Sequence, residues 1–257
     1  MKSDKQESRI TIRAKDLIRE ITGAIFPHSI YCICCGNIID STRSYSLCDH
    51  CMEHIRWNVD EPKNIDGMRV MRCVDYGIYE RSIIFAFKYD GHRYIARDIA
   101  RIMADRLRIE GFECKHLIVP VPLHENKYFL RGFNQSALIG KYLSREMDWD
   151  LEDVLARTKE TKALRGLGPA ERLETITGSI ELSKEGVDLI RNRDIMLVDD
   201  FYTTGSTAKE CRRALEAANP KSISLIAFAG REWNKDPSGL SVSVVENPSQ
   251  LWAKGST

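Results

Sequence analysis

Segments typical of strands and of helices alternate along most of this 257-residue chain, and that alternation constrains its fold more than any other feature. Short runs of β-branched and other apolar residues predict strands at 71–79, 116–122, 153–158, 194–200 and 222–230. Apolar residues at helical spacing predict helices near 9–25 and at 82–89, 94–111, 134–147 and 207–219. Strands separated by helices pair in parallel, and the helices cover both faces of the sheet. The sequence therefore predicts the α/β class, with a parallel sheet flanked by helices.

Five of the eight cysteines lie between positions 32 and 51, and four of these form two C-x-x-C pairs. Two residues between thiolates let both sulfur atoms of a tight turn reach one ion, and two such turns complete a tetrahedral shell that suits Zn²⁺. Cys34 and His50 are alternative ligands. The spacing predicts a structural Cys₄ zinc site formed by Cys32, Cys35, Cys48 and Cys51.

The remaining cysteines are isolated, and we expect them to be buried apolar residues: Cys73, Cys114 and Cys211. We expect three regions along the chain. Residues 1–60 would form an N-terminal helix and a zinc-ribbon module, 61–235 the α/β domain, and 236–257 a C-terminal tail.

Composition excludes several classes of protein. Apolar residues make up 43% of the chain and charged residues 29%, which argues against a disordered protein. A formal net charge of +1 gives no electrostatic basis for strong non-specific binding of nucleic acid. No apolar run reaches the length of about 18 residues that a membrane span needs, and the N-terminal residues lack the apolar stretch of a signal peptide. We therefore expect a cytoplasmic protein without a membrane partner.

The segment 195–207 joins an apolar strand, two adjacent acids and a hydroxyl-rich turn that precedes a helix. Ligands of a parallel α/β sheet bind at the carboxyl ends of the strands, where this turn would lie. Asp199 and Asp200 would repel a phosphate, so they suit vicinal hydroxyls, a developing positive charge or Mg²⁺. The turn could hold a phosphate through backbone N–H groups and hydroxyls of Thr203, Thr204, Gly205, Ser206 and Thr207. Together these features predict a site for a 5-phosphorylated ribose.

A purely structural role is the alternative for this segment. The hydroxyl residues would then cap the following helix, and the acids would end the strand in a turn. Two adjacent acids after an apolar strand exceed what such a turn needs, so the binding site is favoured.

The loop after the strand at 116–122 contains Lys127 and Arg131, and Asn134 is predicted to cap the helix that follows. This loop would lie beside the phosphate-binding turn, where its cations and N–H groups could hold a pyrophosphate. The alternative is that both cations are exposed loop charges.

Residues 195–207 resemble the 5-phosphoribosyl-1-pyrophosphate (PRPP) signature of type I phosphoribosyltransferases: four apolar residues, two acids and a T-T-G-x-T turn. Other segments are similar to the ComF (competence protein F)/GntX family, namely IFPHSIYCICCGN with LCDHC, YGIYERSIIFAFKYDGHRYIARDIA, and IVPVPLHENKYFLRGFNQSALIGKYLS. The resemblance spans roughly residues 22–231. It implies a type I phosphoribosyltransferase-like domain behind a small zinc module, and a link to DNA uptake or nucleotide salvage.

The resemblance also implies an activity and a set of site residues. The protein would bind PRPP with Mg²⁺ and displace its pyrophosphate with a nitrogen acceptor, a base or an amine. Asp199 and Asp200 would be the catalytic residues and hold the ribose hydroxyls, residues 203–207 would bind the 5-phosphate, and Lys88 and Arg131 would bind the pyrophosphate. A competence or DNA-processing protein is an expected partner.

Between Arg157 and Gly178 lies a long cationic segment that resembles the loop which type I phosphoribosyltransferases close over PRPP. Leu164 stands where ComF relatives usually have Gln, and Thr175 where they usually have Asn. These departures favour an alternative function, a PRPP- or nucleotide-binding module without transfer chemistry that acts through partners.

A further alternative is a module that handles single-stranded DNA. Arg43, Arg56 and Trp57 near the zinc module could contact a strand by charge and stacking.

Overall fold

A computed structural model describes residues 30–40, 42–158 and 178–231. The predicted helix near 9–25 and most of the segment between Arg157 and Gly178, with Leu164 and Thr175, lie outside the described residues, as does the predicted tail.

The chain divides into two compact units, Met1–Cys48 and Asp49–Thr257. In the first unit, an antiparallel bridge joins Tyr31 to Ile38, and Ile33 and Leu47 are buried. The domain boundaries expected near 60 and 235 stay predictions.

The second unit alternates helices and strands. Within its described residues the helices are α1 (Asp49–His54), α2 (Ile78–Tyr89), α3 (Ile95–Ile109), α4 (Glu125–Arg131), α5 (Gln135–Met147), α6 (Lys184–Ile190) and α7 (Ser206–Glu216). The strands of the same residues are β1 (Lys63–Ile65), β2 (Met68–Asp75), β3 (Leu117–Pro120), β4 (Leu155–Arg157), β5 (Ile180–Leu182), β6 (Asp194–Tyr202) and β7 (Ser222–Gly230).

Five of these strands form one sheet in the order β1-β2-β7-β6-β3. The pairs β2–β7, β7–β6 and β6–β3 are parallel, and only the edge pair β1–β2 is antiparallel. Val198 in the middle of β6 lies opposite Ile226 of β7 on one side and Pro120 of β3 on the other. The predicted α/β class with a parallel sheet is therefore confirmed.

Both faces of the sheet are covered, as predicted. On one face, α3 and α5 pack against each other, α3 against β2 and β7, and α5 against β3 and β6. On the other face, Leu197 and Leu225 belong to a buried cluster with Cys211 and Leu215 of α7 and Ile180 of β5. Main-sheet strands are apolar on both faces because both faces are buried.

Three predicted elements differ from those observed. The strand predicted at 71–79 ends at Asp75, because Gly77 is the N-cap of α2, which begins at Ile78. The strand predicted at 153–158 is β4, which pairs antiparallel with β5 in a separate two-stranded sheet. β6 does not end at the two acids and continues to Tyr202.

A helix occupies part of the loop predicted after β3. His124 caps α4 by accepting a hydrogen bond from the Asn126 N–H, and Gly132 ends it with a φ of 72°. Glu125 in the first turn and Arg131 in the last turn also suit the helix dipole. The glycine and this charge order were the signals for the helix in the sequence.

The isolated cysteines are not all buried. Cys73 and Cys211 are fully buried, as predicted, but Cys114 is exposed. It lies in the turn between α3 and β3, outside the packed sheet, which is why the prediction was wrong there.

None of the helices in the described segments is long and apolar enough to cross a bilayer.

Candidate functional site

The phosphate-binding turn predicted from the sequence joins β6 to α7. The strand runs past the two acids to Tyr202, and Thr203, Thr204 and Gly205 form the turn before Ser206 opens the helix. Gly205 has a φ of 76°, and a Cβ there would overlap the Tyr202 hydroxyl. Glycine is therefore required by the backbone conformation and by the close approach of Tyr202.

The N-terminal end of α7 is suited to an anion. Its N-cap is Gly205, which has no side chain to accept hydrogen bonds from the first N–H groups, and the first turn carries no acid. Thr203 and Thr204 are exposed, and the Thr204 and Ser206 hydroxyl oxygens are 2.9 Å apart. The turn thus offers hydroxyls and N–H groups together, with Thr207 in the first helical turn.

Lys88, at the end of α2, pairs with one of the two predicted acids. Its Nζ lies 2.5 Å from Oδ2 of Asp200, and both side chains are largely buried. The same Nζ lies 5.8 Å from the centre of the Phe201 ring. Lys88 therefore forms an ion pair with Asp200, and its predicted role in binding pyrophosphate together with Arg131 stays a prediction.

Asp199 has a raised pKa. Burial and the neighbouring charge of Asp200 raise the pKa of its carboxyl to about 7. The opposing influences are Lys88, a hydrogen bond from the Ser136 hydroxyl to Oδ1 at 3.1 Å, and the backbone N–H of Asp200. The two acids consequently differ. Asp200 forms an ion pair with Lys88, whereas ionisation of Asp199 is disfavoured by its surroundings.

Cations of α4 and β4 interact electrostatically with the two acids. The pKa of Lys127 is lowered by partial desolvation and by the positive charges of Arg157, Arg131 and Lys88, while Asp200 opposes the shift. Burial lowers the pKa of Arg157, and the charge of Asp199 is among the influences that raise it. Mutually repelling cations at one place are a feature of sites that bind anions.

Arg131 is held from two sides. One guanidinium nitrogen donates to Oε1 of Gln135 at 3.0 Å, and another lies 3.4 Å from the Tyr89 hydroxyl. The guanidinium carbon is also 5.4 Å from the centre of the Tyr89 ring. This side chain is therefore oriented, unlike an exposed loop cation.

The structure brings Lys88, Asp199 and Asp200 into contact, and the turn 203–207 follows directly on the strand that carries the acids. Sequence reasoning missed the contacts made by Tyr89, Gln135, Ser136 and Arg157. Gln135 and Ser136 directly follow Asn134, which was predicted to cap α5 and does so by accepting hydrogen bonds from the Ser136 and Ala137 N–H groups. That position at a helix start was the signal available for them.

The four predicted zinc ligands also lie together. The Sγ atoms of Cys32, Cys35, Cys48 and Cys51 are all within 4.8 Å of one another. Tetrahedral Zn²⁺ with Zn–S bonds of about 2.3 Å separates its sulfur ligands by about 3.8 Å, and the Cys35 and Cys48 sulfur atoms are 3.7 Å apart. The donor set and its spacing therefore fit a structural zinc ion.

Backbone geometry explains the first pair of these cysteines. The Gly36 N–H donates to the Cys32 carbonyl at 2.9 Å, and Gly36 adopts a φ of 75°. Burial raises the pKa of Cys32, but backbone N–H groups, that of Cys35 first, lower it to a net value of about 7. A thiolate favoured in this way is suited to metal binding. The alternative ligand His50 instead places its Nε2 3.1 Å from the Tyr79 hydroxyl.

Two of the residues considered for DNA contact take part in local contacts. Arg43 pairs with Asp40 at 3.0 Å, and the Trp57 indole N–H donates to the Met52 carbonyl at 3.0 Å. These contacts are the ordinary ones of a folded surface.

No family model matches the chain. It is 27% identical over 205 residues to competence protein F of Haemophilus influenzae, an alignment that covers 76% of this chain and 89% of that protein. It is 28% identical over 190 residues to the DNA utilization protein YhgH of Escherichia coli, covering 72% of this chain and 77% of that protein.

Among solved structures, the chain is similar to a hypoxanthine phosphoribosyltransferase from Staphylococcus aureus. The TM-score is 0.34 at 15% identity, over 59% of this chain and 71% of that chain. A TM-score this far below 0.5 adds nothing to what the sheet itself shows.

Proposed function

We propose that this chain is a PRPP-binding phosphoribosyltransferase. Its similarity to competence protein F and to YhgH agrees with the resemblance to the ComF/GntX family. The observation that carries the proposal is the pair of acids at the end of β6, followed by a glycine-capped turn and faced by cations from α2, α4 and β4.

The turn would bind the 5-phosphate of the ligand. Backbone N–H groups at the start of α7 and the hydroxyls of Thr203, Thr204, Ser206 and Thr207 supply donors for phosphate oxygens. Gly205 keeps side-chain atoms out of the tightest part of the turn.

The acids would hold the ribose. Carboxylate oxygens of Asp199 and Asp200 accept hydrogen bonds from vicinal hydroxyls, and they are also oxygen ligands suited to the Mg²⁺ that accompanies PRPP. The ammonium group of Lys88 forms an ion pair with Asp200, so a ligand that binds this carboxylate must displace it. The displaced ammonium group could then bind pyrophosphate together with Arg131 and Lys127.

In the reaction, the bond from ribose C1 to the pyrophosphate oxygen breaks and a bond from C1 to the acceptor nitrogen forms. Pyrophosphate leaves with the electron pair of the broken bond, and the nitrogen loses a proton. Positive charge develops at C1, where nearby carboxylates stabilise it, while the cations stabilise the departing pyrophosphate. Positioning and electrostatics supply the catalysis, and no side-chain nucleophile is needed.

We further propose that the cysteine cluster binds one structural zinc ion and that the protein acts in the cytoplasm in competence or DNA use, with a protein of that process as its partner. The names of the two relatives, competence protein F and DNA utilization protein, support the second part. The alternative is a binding module that holds PRPP without transfer, and it differs from the first function in its products.

The test is calorimetric titration of PRPP into zinc-loaded protein, with and without Mg²⁺. We expect Mg²⁺-dependent binding that is lost when Asp199 and Asp200 are both replaced by Asn. Asp194→Asn is the matched control, because it neutralises an acid at the opposite end of the same strand, where it pairs with Lys221.

Unchanged affinity in the double variant, or no binding by folded wild-type protein, would refute the site. If PRPP binds, incubation with a panel of bases and amines separates the two functions. Pyrophosphate release with one acceptor supports the transferase, and binding without release from any acceptor supports the binding module.

A further inference from the structure

The first turn of α5 contacts both kinds of charge in the candidate site. Gln135 and Ser136 are consecutive residues with 2% and 4% of their surface exposed. The Gln135 amide oxygen accepts a hydrogen bond from Arg131 at 3.0 Å, and the Ser136 hydroxyl donates to Oδ1 of Asp199 at 3.1 Å. One turn of helix therefore holds one predicted pyrophosphate-binding cation and one predicted ribose-binding acid.

The backbone fixes this turn relative to β6. Asn134 caps α5 by accepting from the Ser136 N–H at 3.0 Å, and its Nδ2 donates to the Val121 carbonyl at 3.1 Å. The Val121 N–H in turn donates to the Val198 carbonyl, one residue before Asp199, at 3.0 Å. The turn is thus tied by two hydrogen bonds to the strand whose acid it contacts.

The end of α2 forms the same arrangement from the other side. Lys88 pairs with Asp200, and the adjacent Tyr89 lies against Arg131. Arg131 is consequently held between Tyr89 and Gln135, and the pair of acids between Lys88 and Ser136.

The buried amide of Gln135 has one hydrogen-bonding contact that explains its presence, the one to Arg131. Its Nε2 has no hydrogen-bond partner among the described residues, although the side chain is almost wholly buried. An unpaired buried donor destabilises the folded state, so an apolar side chain would suit local packing better. The contact that distinguishes glutamine from such a side chain is the one to Arg131.

We propose that Gln135 and Ser136 are positioning residues of the PRPP site: Ser136 directs the carboxylate of Asp199 towards the ribose hydroxyls, and Gln135 directs the guanidinium group of Arg131 towards the pyrophosphate. This inference rests on the proposed function. The two residues can be tested separately, because Ser136 acts on the binding of the ribose and Gln135 on the binding of the pyrophosphate.

The charges around Asp199 determine how Ser136 can be tested. Asp199 faces Lys88 of α2, Arg157 of β4, Asp200 of β6 and Cys211 of α7. These four groups are charged or titratable, whereas Ser136 is a neutral partner of Asp199 and can be changed without altering a charge. Removal of its hydroxyl withdraws the hydrogen bond that orients the carboxylate and leaves the charges of the site in place.

For Ser136→Ala we expect PRPP to bind about tenfold more weakly, with the affinity for inorganic pyrophosphate unchanged. Ser136→Thr keeps the hydroxyl and is expected to restore the affinity for PRPP. Loss of the folded structure would weaken the binding of both ligands, so comparing the two separates positioning from unfolding.

For Gln135→Leu we expect weaker binding of both inorganic pyrophosphate and PRPP, by about tenfold. Gln135→Glu retains an oxygen for Arg131 and is expected to restore most of the affinity. The Gln135 variants therefore test the cation, and the Ser136 variants test the acid.

If wild-type protein binds PRPP and Ser136→Ala binds it with the same affinity, the role of Ser136 is refuted while the proposed function stands. Unchanged pyrophosphate affinity in Gln135→Leu refutes the role of Gln135 in the same way. If folded wild-type protein binds no PRPP, the proposed function itself fails, and this inference fails with it.

Discussion

The negative charge of ionised Asp199 destabilises the folded protein. Its carboxyl titrates near pH 7, because burial and Asp200 oppose ionisation more than Lys88 and Ser136 favour it. Between the ordinary pKa of an aspartate and about 7, the folded protein therefore binds a proton that the unfolded chain releases. Stability contributed by this group is present at low pH and is lost as the pH rises through that interval.

We predict that Asp199→Asn raises the unfolding free energy at pH 8 and changes it little near pH 4. Each pKa unit corresponds to about 1.4 kcal/mol, so the gain at pH 8 is on the order of a few kcal/mol. Urea unfolding of wild type and variant at both pH values measures the difference.

Asp194→Asn is the control, and its effect has the opposite sign. Hydrogen bonds from Lys221 and Ser222 lower the pKa of Asp194, so its contribution is present above the unfolded pKa and is lost in acid. This variant should lose stability at pH 8. A destabilised Asp199→Asn at pH 8 would show that the charge of Asp199 is compensated in the folded state.

At the scale of elements, the turn between β6 and α7 depends on a glycine. Gly205→Ala must adopt a positive φ and must also displace the Tyr202 hydroxyl, whereas Gly111→Ala meets the first requirement only, because nothing lies within 4 Å of a Cβ there. We predict a loss of about 1 kcal/mol for Gly111→Ala and clearly more, about 2–4 kcal/mol, for Gly205→Ala. Denaturant midpoints measure both.

The Tyr202 hydroxyl is the cause assigned to the difference. Adding Tyr202→Phe to Gly205→Ala should therefore recover part of the loss, in a double-mutant cycle. Equal losses at the two glycines would show that the turn relaxes away from Tyr202.

The cysteine cluster gives a second prediction at this scale. Purified protein should contain about one zinc ion per chain, and Cys48→Ser should lose it, because a structural site needs all four ligands. Cys114→Ser removes an exposed cysteine outside the cluster and should keep the metal. Elemental analysis measures the content, and folded wild-type protein without metal would contradict the site.

Patterns along the sequence predicted most of these elements. The apolar runs that became β3, β6 and β7 and the helical spacing of α3, α5 and α7 are long enough to be unambiguous. The three-residue strands β1 and β5 were missed, because so short a run has no period of its own. Helix α4 was missed because its exposed apolar residues do not form a buried face, so that only its caps and the order of its charges mark it.

At the scale of the molecule, the candidate site combines groups that are far apart in the chain, from Lys88 to Asp200. Spacing predicted the acids and the turn because they are contiguous. It could not predict that Ser136 reaches Asp199, since that contact depends on the parallel pairing of β3 with β6. Nor could it predict that Lys88 pairs with Asp200, because a side-chain partner is a property of packing.

The ion pair between Lys88 and Asp200 has a consequence for the order of addition. A bare divalent cation would have to expel an ammonium group from Asp200 and leave that positive charge without a counter-ion in a site already rich in cations. A ligand that arrives with its own phosphates supplies the replacement counter-ion in the same event. If the site binds PRPP with Mg²⁺ as proposed, metal and sugar phosphate should therefore enter together as one complex, and free metal alone should leave the site as it is.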